Sequence, residues 1–352
     1  MVLTPRFGTG LLACALAVAV VTPARAAPVD TVDVPSVVET VPTGVRGDTA
    51  DDPAVWVNPD DPAGSLVITN EKKVGRLSVF DLDGELVQRI TGPKTFFGNV
   101  DVRGDYVIAA HSGILVYRVT DTPEGPRLIF AREATGNVST AGEGLCFYDP
   151  GAPGVADGLF AVNIHRPNFR VRVHPLTDGD ADGLLTLGRP VRDFYLGSEG
   201  EGCEVDDATG ALYVSEEDVG IWRYDLTAPT GLVPPRVSFA TIGEQLSADV
   251  EGLALAGGVL YASAQNVAAP QRNWIVRYDA ATGDYLGSAR VSNGTVSDDC
   301  DQTDGLEAVE GYFNENFPDG IFVCQDGFND LPGSSGTQNF KYAPLHLLDG
   351  VP

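Results

Sequence analysis

LYVSEEDVGIWRYDL, from Leu212 to Leu226, is the stretch on which the fold turns. A short apolar strand runs into a turn of acids and a glycine, and a second strand leaves it with alternating polarity and a tyrosine near its end. Alternation gives such a strand one apolar and one polar face. Five further segments share the pattern: LVITNEKKVGRLSVFDLDG from Leu66, YVIAAHSGILVYRV from Tyr106, LFAVNIHRPNFRVRVHPL from Leu159, LYASAQNVAAPQRNWIVRYDA from Leu260 and IFVCQDGFNDLPGSSGTQNFKYAPL from Ile321. Successive starts of the six lie 40, 53, 53, 48 and 61 residues apart. A period of that size marks a propeller with one four-stranded blade per repeat.

The expected fold is therefore all-β, a six-bladed β-propeller of four-stranded antiparallel blades. The 41 glycines and 24 prolines, with no sustained apolar period of 3.6, oppose long helices. Val34 to Val41 (VPSVVETV) reads as an N-terminal strand that closes the ring by completing the blade begun at Ile321.

Another short strand precedes each hairpin, and all six carry acid at what reads as a shared position. These are Asp51 and Asp52 in DDPAVW, Asp101 in GNVDV, Glu143 in GEGLCF, Glu201 in EGCEV, Glu251 in VEGLAL and Asp304 in TDGLEAV. Innermost strands line a propeller's channel, so the alignment predicts carboxylates gathered round one axis. Such a ring repels itself, and divalent cations relieve the repulsion. Asp48, Glu217, Asp249 and Asp298 add acids on the same face, and the alternate positions 249 and 251 project to one side of a strand. Oxygen-only ligands in irregular clusters select several Ca²⁺ ions rather than zinc. Lys72, Lys73, His111, His165 and Arg166 fall in hairpin loops, where they would place positive charge over the acidic floor. That pairing suits a phosphate ester attacked in line by activated water. Glu201 or Glu217 would orient the water, and Lys72–Lys73 is read as a solvent-facing pair.

Arg6, the apolar run Leu11–Val21 and Ala24-Arg25-Ala26 read as a signal peptide over residues 1–26, leaving 27–352 as one propeller domain. The expected location is secreted or periplasmic. Past the signal stand 21 basic and 49 acidic residues, a net charge of −28, which opposes nucleic acid as a partner. No membrane span is expected beyond the signal, and the chain is expected to act as a monomer. Cys146, Cys203, Cys300 and Cys324 remain and permit two disulfides in any of three pairings. No RHGxRxP motif or C-x₅-R loop supplies a covalent phosphatase nucleophile, and four histidines are too few for a typical dinuclear histidine site.

The runs DDPAVWVNPDDP, ITNEKK, GNVDVR, SEGEGCEVDDATGALYVSEEDVGIW, ADVEGL, TDGLEAV, FVCQDG and QNFK, spread from about Glu39 to Leu345, resemble the β-propeller (alkaline) phytases. The resemblance implies a calcium-dependent phosphomonoesterase of 3-phytase type acting on inositol phosphates, above all calcium phytate, at a calcium-rich cleavage site beside an affinity site. It places the family's calcium carboxylates at Glu39, Asp48, Asp51, Asp52, Glu201, Glu217, Asp249, Glu251, Asp298 and Asp304, and its phosphate-binding lysines at Lys72 and Lys73. An active-site arginine of the second blade has no counterpart beyond His111. A third-blade lysine is replaced by His165 or Arg166, and a tyrosine ligand by Glu143. Two other classes share the architecture: a propeller hydrolase of another substrate, such as a lactonase, and a calcium-binding propeller without turnover.

Overall fold

The computed structural model describes residues 31–92, 98–110, 113–134, 142–151, 158–177, 185–229, 231–243, 245–265, 273–329 and 336–350. The expected signal peptide and His111 lie outside the described residues. Six small antiparallel sheets follow one another along the chain. Their inner strands are Ala50–Trp56, Val100–Arg103, Gly142–Tyr148, Gly200–Asp206, Val250–Ala256 and Leu306–Glu310. Each pairs with the next strand in sequence: Leu66–Glu71, Tyr106–Ala110, Phe160–His165, Ala211–Glu216, Val259–Ala264 and Gly320–Asp326. The expected six-bladed propeller is the observed fold.

Alternation along these strands makes both faces of a blade apolar where they meet a neighbour. The core is accordingly split into six clusters, one in each cleft between blades. Ile68, Val79, Val107 and Tyr117 fill the cleft between blades one and two. Cys146, Ile164, Val171, Val214 and Tyr224 fill that between three and four, and Val55, Val67, Phe317, Phe340 and Tyr342 that between six and one. No blade owns a core, so none can bury its apolar faces without both neighbours.

Ring closure is shared between two blades. Val38–Glu39 pairs with Asn339–Pro344 of blade six, as anticipated, with Glu39 opposite Lys341. Upstream, Thr31–Pro35 runs parallel to Tyr285–Ser292 and adds a fifth strand to the outer edge of blade five. The expected single closing strand is thus two short ones. The turn at Ser36–Val37 between them is held by hydrogen bonds from Ser36 N to Ser292 O (3.0 Å) and from Val37 N to Tyr342 O (2.9 Å).

Of the three possible cysteine pairings the structure contains Cys146–Cys203 and Cys300–Cys324. The first ties the inner strands of blades three and four across 57 residues of chain. Closing a loop of that length restricts the unfolded chain by about 4 kcal/mol. Urea unfolding of C146S/C203S should therefore show a stability loss of about 2–4 kcal/mol with a somewhat steeper slope, because the unbridged unfolded chain is less compact. An unchanged midpoint would mean that the bridge adds nothing to the blade interface.

Candidate active site

The register of the inner strands decides what faces the channel. In blades one, three, four and five the pairing slips between the first and fourth residues, at Ala50/Pro53, Gly142/Leu145, Gly200/Cys203 and Val250/Leu253. Asp51, Glu143, Glu201 and Glu251 lie in these irregularities, which re-aim a side chain out of the ladder. The glycine that follows the acid lets neighbouring inner strands touch. A Cβ on Gly202 would lie 2.7 Å from Glu251 O, and one on Gly252 2.8 Å from Asp304 O. The acid-glycine dipeptide is thus the device that packs the carboxylates close round the axis.

Asp51, Asp52, Glu143, Glu201, Glu251 and Asp304 line one shallow cavity at the channel mouth. The member from blade two is Asn99, not Asp101. Asp101 lies further along its strand, toward the other end of the channel, beside Arg103, Glu204 and Glu307. Its carboxylate accepts hydrogen bonds from Val102 N (2.5 Å) and Phe147 N (2.6 Å), which stitches blade two to blade three. Asn99 follows Gly98 as Glu143 follows Gly142 and Glu201 follows Gly200. Aligning on that glycine instead of on the nearest acid would have found it.

Crowding raises the proton affinity of this ring. Burial, then Glu143, pushes Glu201 up to about 9. Glu251 is raised well above its ordinary value by burial and by Glu201. Asp52 is raised likewise by burial and by Asp51, and burial holds Asp304 at about 6 even against Lys72. Glu307, in the lower layer, is raised to about 8 by burial and Asp101.

The loops joining second to third strands open on the same face, because each second strand ends opposite the start of its inner strand. Lys72 comes from the first of these. Its ammonium lies 2.9 Å from Asp48, 3.1 Å from Asp51 and 2.8 Å from Asp304. The side chain is only 16% exposed, so the reading of a solvent-facing lysine is corrected here: Lys72 is the internal counter-ion of three acids. Lys73 is exposed. Asn70, fully buried, donates to Asp51 Oδ2 (3.0 Å) and accepts from Asp52 N (2.7 Å), which fixes the Asp51 carboxylate and the Asp52 backbone.

Blade four supplies Glu217, whose neighbour Glu216 is turned inward and accepts from Trp222 Nε1 (2.6 Å) and Ser198 Oγ (2.7 Å). Oxygens of Glu199, Glu201 and Glu217 lie within 4.8 Å of one another, as do those of Glu217, Asp249 and Glu251. Glu199 escaped the sequence reading, although Glu199-Gly200-Glu201 has the same alternate spacing as Asp249-Val250-Glu251. Arg166 pairs with Glu143 (Nη1 to Oε1, 2.6 Å) and with Glu199. His165 braces its own loop through Nδ1, 2.5 Å from Asn168 Oδ1, while its Nε2 is buried without a hydrogen-bond partner.

Glu39 and Asp298 stand apart from the mouth. They surround the wholly buried ammonium of Lys341 together with Asp326 (3.0 Å) and Asn339 Oδ1 (2.5 Å), with Glu39 Oε2 at 3.1 Å. These carboxylates already share one cation.

A family model described as Phytase matches residues 2–125 and 174–347. A 3-phytase of Bacillus subtilis (strain 168) is 31% identical over 324 residues, covering 86% of this chain and 81% of that protein. Among solved structures, the β-propeller domain of Cps50 (Swd1) from Myceliophteria thermophila is 11% identical, covers 83% of this chain and 82% of its own, and superimposes with a TM-score of 0.44.

The raised carboxyls set a pH dependence. A carboxyl whose folded pKa is raised binds more protons folded than unfolded. Its stabilising contribution is complete below the ordinary 4.5 and is lost as pH climbs through about 9 for Glu201 or about 8 for Glu307. In chelator, the melting temperature should fall steadily as pH rises across that window. A flat profile would mean that these acids titrate normally.

Proposed function

This chain belongs to the β-propeller phytase family, and we propose that it is a calcium-dependent phosphomonoesterase that releases phosphate from phytate at the channel mouth. The observation that carries this reading is the meeting of two oxygen-only clusters with Lys72 and Arg166 on one face of the ring.

The donor set fits a hard, irregularly coordinated cation. Glu199, Glu201, Glu217, Asp249 and Glu251 offer only carboxylate oxygens, and Glu143 Oε2 is buried without a hydrogen bond. These residues, with Asp51, Asp52 and Asp304, would hold calcium, and Glu39 and Asp298 would be ligands only if Lys341 shared them. When bound, calcium supplies positive charge that neutralises the ring and polarises the phosphoryl oxygens.

The residues divide the remaining work by charge. Lys72 and Lys73 reach from the first blade and Arg166 from the third, so a phosphate group over the mouth meets cations from two sides. Arg166 presents a planar fork suited to two phosphoryl oxygens, and lysine a compact point charge. Glu201 and Glu217 face the same space and are the candidates to orient the attacking water. Glu201 holds its proton at neutral pH until a positive charge draws the proton off, so that role requires the ring to be neutralised first. His165, tied to Asn168, serves the loop that presents Arg166 rather than the substrate. Two disulfides suit an exported enzyme, and among the described residues no helix is long and apolar enough to cross a membrane.

Phosphate release from calcium phytate is the direct test, and its absence at any pH from about 5 to about 9 would overturn the reading. K72A should lower kcat/KM for phytate by about tenfold or more. Because Lys72 is enclosed by three acids, K72A in chelator should also lose about 2–4 kcal/mol of stability. Saturating calcium should raise the melting temperature of the native chain and restore most of that loss. A variant with full activity, or a melting curve indifferent to calcium, would remove Lys72 or the cation from the site.

A further inference from the structure

Arg166 spans two blades in a way that the assigned chemistry does not require. It follows the second strand of blade three in a tight turn, Arg166–Asn168, stiffened by Pro167 and closed by Phe169 in the left-handed region at φ 56°. From that rigid loop, Nη1 reaches Glu143 on its own blade at 2.6 Å, and Nε reaches Glu199, which leads into the inner strand of blade four. Glu143 is 10% exposed and Glu199 28%, while the arginine is 54% exposed. The carboxylates are therefore the fixed partners, and part of the guanidinium faces out over the mouth. Glu199 is also one of the three acids whose oxygens cluster with those of Glu201 and Glu217. One carboxylate, Glu199, thus serves both the guanidinium and the cluster of acids that could hold a cation.

We propose that Glu143 and Glu199 are positioning residues for Arg166, and that Glu199 exchanges Arg166 for a divalent cation so that binding of the cation releases the guanidinium to a phosphoryl group. The inference rests on the calcium-dependent reading above and adds a coupling to it. With Glu199 paired to Arg166, the cluster has one ligand fewer and the phosphate site one donor fewer. When Glu199 turns to the cation beside Glu201 and Glu217, both deficits end together. Glu143 keeps its pair throughout, so Arg166 stays over the mouth instead of swinging into solvent. No bond is made or broken in the exchange. By linkage, the factor by which the cation strengthens phosphoryl binding at Arg166 is the factor by which a bound phosphoryl group strengthens binding of the cation.

Calcium titrated calorimetrically into chelator-stripped protein tests this without turnover. E199Q should weaken or abolish one binding step, and R166M should tighten that step about tenfold, since Glu199 no longer has to leave its arginine. In the E199Q background R166M should change calcium affinity less than about twofold. If Arg166 merely repels calcium through space, R166M tightens binding equally in both backgrounds, and the proposal is overturned. R166K supplies a second measurement should E199Q not fold. Lysine keeps the charge but cannot bridge both acids, so the exchange gives tightening and simple repulsion gives none. A chain that shows the coupling yet releases no phosphate from phytate defeats the functional reading alone. An active enzyme with equal tightening defeats this one alone.

Discussion

Repulsion between carboxylates at the mouth of the channel is the constraint to which the rest of the molecule answers. Asp51, Glu143, Glu201, Glu251 and Asp304 are brought together by strands that cannot separate, because their backbones touch at Gly202 and Gly252 and their flanks are welded by the apolar clefts. Burial and mutual charge raise these groups above their ordinary pKa. The chain answers with cations placed among acids: Lys72 at the mouth, the half-exposed Arg166 at the rim, Arg103 in the lower channel and Lys341 behind the closing strand.

A buried ion group that leaves net negative charge is a poor source of stability, since desolvation consumes most of the Coulomb gain. Lys72 and Arg166 both stand at the mouth, each held by more than one acid. Lys341 is different. It has no exposure, stands opposite Glu39 across the closing pair, and fastens the N-terminal strand to blade six. One kind of contact thus gathers charge at the mouth and fastens the architecture behind it.

The repeat was legible because each blade is one hairpin pair with its own alternation, and alternation is a local property. The pairs LYVS/GIWRYD and LYAS/WIVRYD announce their strands without reference to anything distant. The acid-glycine dipeptides GEG, GEG, VEG and TDG were likewise readable and placed four of the six mouth positions, and the acids of DDP in blade one placed a fifth. The sixth misled because blade two has an amide at the ring and its acid two residues later. A pattern search keyed to charge lands on Asp101, whereas the backbone puts Asn99 in the ring and gives Asp101 to the N–H of Phe147.

Sequence by itself determined that this protein is a ring of six β-blades with clustered carboxylates and a few cations at one end, since periodicity and residue type are written along the chain. Only the tertiary structure decided which charges meet. The pairing of Lys341 with Asp298 and Asp326, of Lys72 with Asp304, of Arg166 with Glu199 and of Cys146 with Cys203 joins residues on different strands or blades. The physical reason is that Coulomb and hydrogen-bond energies depend on distance in space. That distance is set by how strands pair within a blade and how each blade packs on the next, which no local stretch encodes.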